Sequence, residues 1–278
     1  MAAPESLSRL TMTAIGMARV RADESRRPDR LFDDPLAAAF VAAAPELPQR
    51  GRPGGRAVRS LGAWLAFQGV IRTRFYDEYL TAAASGGCRQ VVLLAAGLDT
   101  RAFRLDWPDD LRLFELDLPE VLDFKQRVLD QRHAVPRCRR TTVAADLRAD
   151  WPARLVEAGF RPQRPAAWLA EGLLVYLTAA EVIELFDAVG RLSAPGSQLA
   201  LEQFAGAEAL RAKVDRIPSM RGMATLWKGG LGAGTADWLA GHGWRVRTVD
   251  RGPLAAAWGR AAPDAPPGGF VVAVRGER

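Results

Sequence analysis

Six consecutive apolar residues, Val91 to Ala96, are closed by Gly97. A strand with one solvated face alternates polar and apolar positions, so an unbroken run of this length fits a strand covered on both sides, as in a parallel sheet. Segments of alternating type follow it. Leu111 to Leu116 reads as a second strand, Pro119 to Arg132 as a helix opened by proline, and Thr141 to Ala145 as a third strand. Pro152 to Ala158 reads as a helix stopped at Gly159, Ala166 to Leu173 as a strand, Ala179 to Leu192 as a helix and Ser197 to Phe204 as a fifth strand. Strands separated by helices of this length predict an open parallel α/β sheet.

The pattern breaks after Phe204. Gly206 to Ala233 carries Pro218, Met220, Met223 and Trp227 and then a glycine-rich stretch, and reads as an insertion over the sheet edge. Thr235 to Gly241 is helical, and Trp244 to Asp250 and Phe270 to Arg275 are the last strands. A Pro/Ala/Gly loop without a full crossover helix joins those two, which predicts an antiparallel pair. The expectation is a sheet of seven mostly parallel strands with one antiparallel strand. The stretch before Gly86 is helical in pattern, with an Arg/Gly/Pro loop from Pro48 to Arg56. The 278 residues, 49% hydrophobic, suffice for one large core. We therefore read a single domain: a helical N-terminal lid (1–86), a ligand-binding core (87–204), a lid insertion (205–235) and C-terminal strands (236–278).

Composition removes several classes. The 38 Lys+Arg exceed the 32 Asp+Glu by six, a balance that invites a nucleic-acid reading. Only Lys125, Lys213 and Lys228 are lysines, however, and the arginines are spread among acids along the chain, so no nucleic-acid partner is expected. Leu36 to Ala44 is too short to cross a bilayer and Met1 to Arg9 lacks signal-peptide order, so a cytoplasmic protein without a membrane partner is expected. Cys88 and Cys138 form no disulfide framework, and His133 and His242 lack metal-ligand spacing, so no metal is expected. The absence of asparagine excludes N-glycosylation and any catalytic role for that residue.

In an open parallel sheet the ligand lies beyond the carboxyl ends of the strands. The turn after the first strand reads Leu94-Ala-Ala-Gly-Leu-Asp-Thr-Arg101. Gly97 lets a ligand approach the backbone, but Ala95 and Thr100 stand where a dinucleotide fingerprint has its outer glycines, and there is no phosphate-binding loop motif. Asp117 follows Gly97 by 20 positions, as an acid that accepts from ribose hydroxyls does; before Pro119 it is equally a helix cap. Asp99 fits a cap better than a ligand contact. Asp146 and Leu147, just past the third strand, either hold an adenine, through the carboxylate and the following backbone N–H, or form a bare surface turn.

These residues sit within a series of ordered motifs: Arg72-Thr-Arg-Phe-Tyr-Asp77, Leu94-Ala-Ala-Gly-Leu-Asp-Thr-Arg-Ala-Phe-Arg104, Glu115-Leu-Asp-Leu-Pro-Glu-Val121, Ala145-Asp-Leu147 and Ala170-Glu-Gly-Leu-Leu-Val-Tyr176. Arg26 to Pro35 and Trp238 to Trp244 fit the same series. From about Thr13 to the last strand the chain resembles the leucine carboxyl methyltransferase superfamily, in its bacterial branch of S-adenosylmethionine-dependent O-methyltransferases. The resemblance implies a class I methyltransferase sheet of Rossmann type, and S-adenosylmethionine as cofactor. It implies that Arg72 pairs with the methionine carboxylate, that Ala95 and Gly97 line the cofactor, that Asp117 and Leu118 meet the ribose, that Asp146 and Leu147 hold the adenine and that Glu171 lies near the methionine amino group. Arg19 or Arg21 would add a second cation. The family usually has glycine where this chain has Ala95, so the turn is expected to sit tighter against the methionine end.

The implied reaction is in-line displacement of the sulfonium methyl by an oxygen, most simply the carboxylate of a small natural-product acid of polyketide type. A carboxylate is ionised at neutral pH and needs no general base, so proximity and alignment carry the reaction without an assigned catalytic residue. A phenol or alcohol would need a base, for which His133, His242, Glu171 and Tyr176 are the candidates. Tyr176, Met223 and Trp227 are expected to line the acceptor pocket, with Arg74 or Arg221 fixing the acid group. A protein that binds the cofactor without turnover is the alternative from another class.

Overall fold

The structure is a computed structural model and describes residues 8–44, 56–204, 225–261 and 268–277. Its centre is a seven-stranded sheet in the order β3-β2-β1-β4-β5-β7-β6. The strands are β1 (Gln90–Leu94), β2 (Arg112–Asp117), β3 (Arg139–Ala144), β4 (Ala166–Ala170), β5 (Gln198–Phe204), β6 (Trp244–Asp250) and β7 (Gly268–Arg275). The first five run parallel, and β7 lies antiparallel to both β5 and β6, so it alone is reversed. The architecture is the one the sequence predicts.

The apolar run explains the layering. Successive side chains of a strand face opposite sides, and β1 is buried at every position. Val91 and Leu93 join one core with α1 (Arg9–Ser25), α2 (Ala37–Ala43), α3 (Arg56–Ser85) and α5 (Pro119–Gln131). Val92 and Leu94 join the other with α6 (Trp151–Glu157), α7 (Ala179–Arg191) and α8 (Thr235–Gly241). The short α4 (Arg101–Arg104) follows the first turn.

Three boundaries differ from the sequence reading. Strand β1 stops at Leu94 because Ala95 and Gly97 take left-handed φ values of 53° and 49°, which lift the chain out of the sheet plane. Strand β4 stops at Ala170, ahead of Gly172 at φ 63°, and Leu174–Tyr176 forms a 3₁₀ turn. The link between β6 and β7, read as a loop, holds α9 (Arg251–Ala257). Pro253 is its third residue, where a missing N–H leaves no helix bond unmade, so Gly252 and Pro253 mimic a breaker without acting as one. The Pro48–Arg56 loop apart from Arg56, and most of the 205–235 insertion, lie outside the described residues.

The chain leaves β1 toward β2 and β3 and returns to place β4 on β1's other side. The carboxyl ends of β1 and β4 thus diverge at a switch point, and the crevice there collects the motif residues.

Candidate active site

A cavity of about 930 Å³ opens at that crevice. Its floor is the turn after β1, its sides are the carboxyl ends of β2, β4 and β5, and α1, α3 and residues 225–229 wall it. Arg72, Ala95, Gly97, Asp117, Leu118, Asp146, Leu147 and Glu171 all line it, and so do Tyr176 and Trp227.

Asp117 ends β2 and is 9% exposed. Its Oδ2 accepts from the Gly97 backbone N–H at 2.6 Å and its Oδ1 from that of Leu118 at 2.7 Å. The first residue flanking α5 is Leu118, and no side chain caps it, so the cap reading of Asp117 gives way to that of a carboxylate joining two turns. Burial raises its pKa, opposed by those two N–H bonds. Each oxygen keeps acceptor capacity toward the cavity. Asp99 fails the same capping test: the residue flanking α4 is Thr100, with no side-chain cap, and Asp99 Oδ1 accepts from the Arg101 N–H at 2.7 Å, two residues on.

Glu171, just past β4, meets Arg72 Nε at 3.0 Å through Oε1 and Arg101 Nη1 at 2.8 Å through Oε2. Burial alone would raise its pKa, but the guanidiniums of Arg101 and Arg72 outweigh it and hold the carboxyl below its ordinary value. Asp99 behaves likewise, burial being outweighed by Arg101 and, secondarily, Lys125. Arg72 extends from α3 to bridge Glu171 and Glu202, whose Oε2 lies 3.3 Å from Nη1 and also accepts from Gly172 N at 2.7 Å. Gly172 cannot easily be replaced: a Cβ there would sit 3.0 Å from Arg72 Nη1. Asp146 accepts a fork from Arg148, with Nε at 2.9 Å and Nη2 at 2.6 Å, and this pairing lowers its pKa.

Sequence reasoning overlooked Arg101, Arg104 and Glu202, which line the cavity, and Asp77 behind them. Arg101, Arg104 and Asp77 form a buried cluster, with Arg104 Nη1 2.6 Å from Asp77 Oδ2. Glu202 interrupts the otherwise apolar Leu199-Ala-Leu201 stretch, and a charge at the end of a buried strand was the available signal. Of the two candidate N-terminal cations, Arg21 lines the cavity, bound to Asp34 at 2.8 Å and to the Leu98 carbonyl at 2.6 Å; Arg19 is not among its lining residues.

Arg74 is a correction. It lies outside the cavity, paired with Glu78 at 2.7 Å, donating to the Leu31 carbonyl at 2.9 Å and lying 6.0 Å from the Trp258 ring. Being two residues from Arg72 on a helix, it projects about 200° away. Met223 and Arg221 lie outside the described residues. Trp227 is buried, and its neighbour Lys228 anchors this wall: its N–H donates to the Val175 carbonyl at 2.7 Å and its Nζ lies 3.0 Å from Glu181. Tyr176 has Thr13 and Trp227 as polar neighbours, and burial raises its pKa. His133 follows α5 at the surface, and His242 stacks on Trp238 at 3.8 Å; neither reaches the cavity.

The donor set fits S-adenosylmethionine. Arg72 can face a carboxylate, Glu171 an ammonium, Asp117 two ribose hydroxyls and Asp146 an exocyclic amine, while Gly97 lets a ligand approach closely, with only the Ala14 Cβ at 3.5 Å from where its own Cβ would be. A single reversed strand in a seven-stranded sheet and this site at its switch point define a class I, S-adenosylmethionine-dependent methyltransferase. The model of the leucine carboxyl methyltransferase family matches residues 14–190, and the chain belongs to that family. A protein of Parafrankia sp. (strain EAN1pec) is 51% identical over 95% of this chain and 86% of its own length, and one of Frankia alni is 53% identical over 95% and 94%; each is named "Putative S-adenosyl-L-methionine-dependent methyltransferase". Among solved structures, a DUF574 family protein of Streptomyces avermitilis matches with a TM-score of 0.57 at 18% identity, covering 96% of this chain and all of that one. A methyltransferase structure from Thermobifida fusca matches with 0.55 at 18% identity over 94% of each chain. Both share the fold.

Proposed function

We propose that this protein methylates a carboxylate oxygen of a small, largely apolar organic acid of natural-product type, giving a methyl ester. The observation that carries this reading is the protonation chemistry of the cavity. Among the described residues that line it there is no histidine, and each of its acids already serves a partner: Asp99 and Glu171 face Arg101, Glu202 faces Arg72, Asp146 faces Arg148 and Asp117 holds two backbone N–H groups. Burial leaves the Tyr176 hydroxyl a poor base. A carboxylate acceptor needs no proton removed, whereas a phenol or alcohol does.

When bound, the cofactor supplies an electrophilic methyl group on a sulfonium. The chain's contribution is placement. Arg72 and Glu171 orient the two charged ends of the methionine portion, Asp117 and Asp146 fix the nucleoside, and the turn from Ala95 to Leu98 bars water from one side. Met17, Val20, Trp64, Leu65, Leu174 and Trp227 give the remaining walls an apolar face that strips water from an acid entering the cavity. Alignment of this kind is worth up to about 7–11 kcal/mol in well-oriented reactions.

The test is methyl transfer from labelled cofactor to a panel of apolar carboxylic acids and matched phenols, followed by mild alkali. Methyl esters release labelled methanol; a product that keeps its label shows another acceptor atom and overturns the carboxyl reading. Binding without transfer to any member would favour the non-catalytic alternative.

A further inference from the structure

We propose that Arg101 is a positioning residue for the cofactor: its guanidinium, almost wholly buried in the cavity wall, aligns the Glu171 carboxylate and is the cation that stays with it when Arg72 turns to a ligand. The proposal rests on the cofactor role assigned above to Glu171.

Arg101 is 2% exposed and gathers carboxylates from three separate parts of the chain. Its Nε donates to Asp77 Oδ1 of α3 at 2.7 Å, its Nη1 to Asp99 of the first turn and to Glu171 Oε2 at 2.8 Å, and its Nη2 lies 3.4 Å from the Thr73 carbonyl. Only a planar fork of donors can serve so many acceptors in one place. Arg72, which lines the cavity as Arg101 does, is more exposed and divides its charge between Glu171 and Glu202. A guanidinium that binds an incoming carboxylate gives less to its previous partners, so the Glu171 charge then depends on Arg101.

The surroundings of Glu171 make that dependence strong. Arg72 and Tyr76 act on it from α3, Asp99 from the first turn and Arg101 from α4, while Asp77 and Glu202 join through Arg101 and Arg72, and Arg104 through Asp77. Without Arg101, burial and the Asp99 charge both favour a protonated Glu171. A protonated carboxyl cannot pair with an ammonium group.

Calorimetric titration with S-adenosylhomocysteine at several pH values from 6 to 8 tests this. Wild-type affinity is expected to be nearly flat across that range. Arg101→Met is expected to bind at least tenfold more weakly at pH 6 and to recover as pH rises, by up to about tenfold per unit, since one proton must leave first. Arg101→Lys restores a flat profile with part of the affinity, and adding Glu171→Gln to Arg101→Met removes the slope. A uniform loss at every pH, or no loss, overturns the proposal. Should Arg101→Met fail to fold, carboxyl-carbon resonance titration of the wild type decides: Glu171 must stay ionised below the ordinary glutamate range, and a normal or raised midpoint refutes it. If the wild type binds neither S-adenosylhomocysteine nor S-adenosylmethionine, the cofactor reading itself fails, an outcome separate from the others.

Discussion

The Gly97 backbone N–H donates to Asp117 Oδ2 at 2.6 Å, so the carboxylate that ends β2 also fixes the turn that ends β1. Removing it affects both jobs. Asp117→Ala is expected to leave two half-buried N–H groups without their acceptor, costing about 1 kcal/mol of stability. It should also weaken S-adenosylhomocysteine binding by tenfold or more. Thermal melts and calorimetry on the same preparation check both, and wild-type affinity in the variant would remove Asp117 from the site.

The first turn gives a second expectation. Ala95 holds φ 53° and Gly97 holds φ 49°. A side chain in this region costs about 1–2 kcal/mol, and glycine's extra freedom in the unfolded chain offsets about 0.5–1 of that. Ala95→Gly should therefore change stability little or raise it by up to about 1.5 kcal/mol, whereas Gly97→Ala should change it little or lower it by up to about 1.5 kcal/mol and weaken the cofactor. Chemical denaturation of the pair reads the contrast.

Arg72 is structural as well as ligand-facing. Its guanidinium pairs with Glu202 and shares Glu171 with Arg101, so Arg72→Ala leaves the buried Glu202 without its guanidinium partner and Glu171 with Arg101 alone. A loss of about 3–5 kcal/mol at pH 7 is expected, along with a large rise in KM for S-adenosylmethionine. Arg72 is one of the two guanidiniums that hold the Glu171 carboxyl below its ordinary value, so its loss brings Glu171 closer to protonation and the stability gap from wild type should narrow toward pH 4. Melts at pH 7 and pH 4 test this, and a constant gap would show that the acids do not carry the effect.

Acid should destabilise the cofactor-free protein through its paired carboxylates. The folded pKa values of Glu171, Asp99, Asp146 and Glu181 are lowered, so their contribution is complete above about 4.5, the upper end of the unfolded range, and is lost as pH falls through the folded values. Asp117 runs the other way: its pKa is raised, and its ionisation favours the unfolded chain once pH passes about 4. Ribose hydroxyls prefer the ionised form, so S-adenosylhomocysteine binding should release a proton wherever Asp117 of the free protein is still partly protonated. Melting temperatures from pH 7 to 3, with proton release measured in two buffers of different ionisation heat, separate the two signs.

Much of the site was legible because its residues hang on strand ends, and strand ends are marked by where an apolar run meets glycine or acid. Gly97, Asp117 and Asp146 were found this way, at or just past the end of a parallel strand, whereas Glu171 came only from the family resemblance, because the strand read from Ala166 to Leu173 ran through it. Arg74 misled because sequence proximity to Arg72 says nothing about direction on a helix, where two positions turn the side chain away from the cavity. The helix at Arg251–Ala257 was missed because glycine and proline within its first turn resemble a loop until the backbone is followed.

The sequence by itself determined the sheet: uniformly apolar runs demand cover on two faces, and helices between them impose parallel order. Only the tertiary structure decided which charges meet. Asp99 is a near neighbour of Arg101, but Asp77 and Glu171 lie 24 and 70 positions from it, and their convergence on Arg101 follows from α3 crossing behind the turn after β1 and the end of β4. Ion pairing depends on distance and burial, and neither is written in the order of residues.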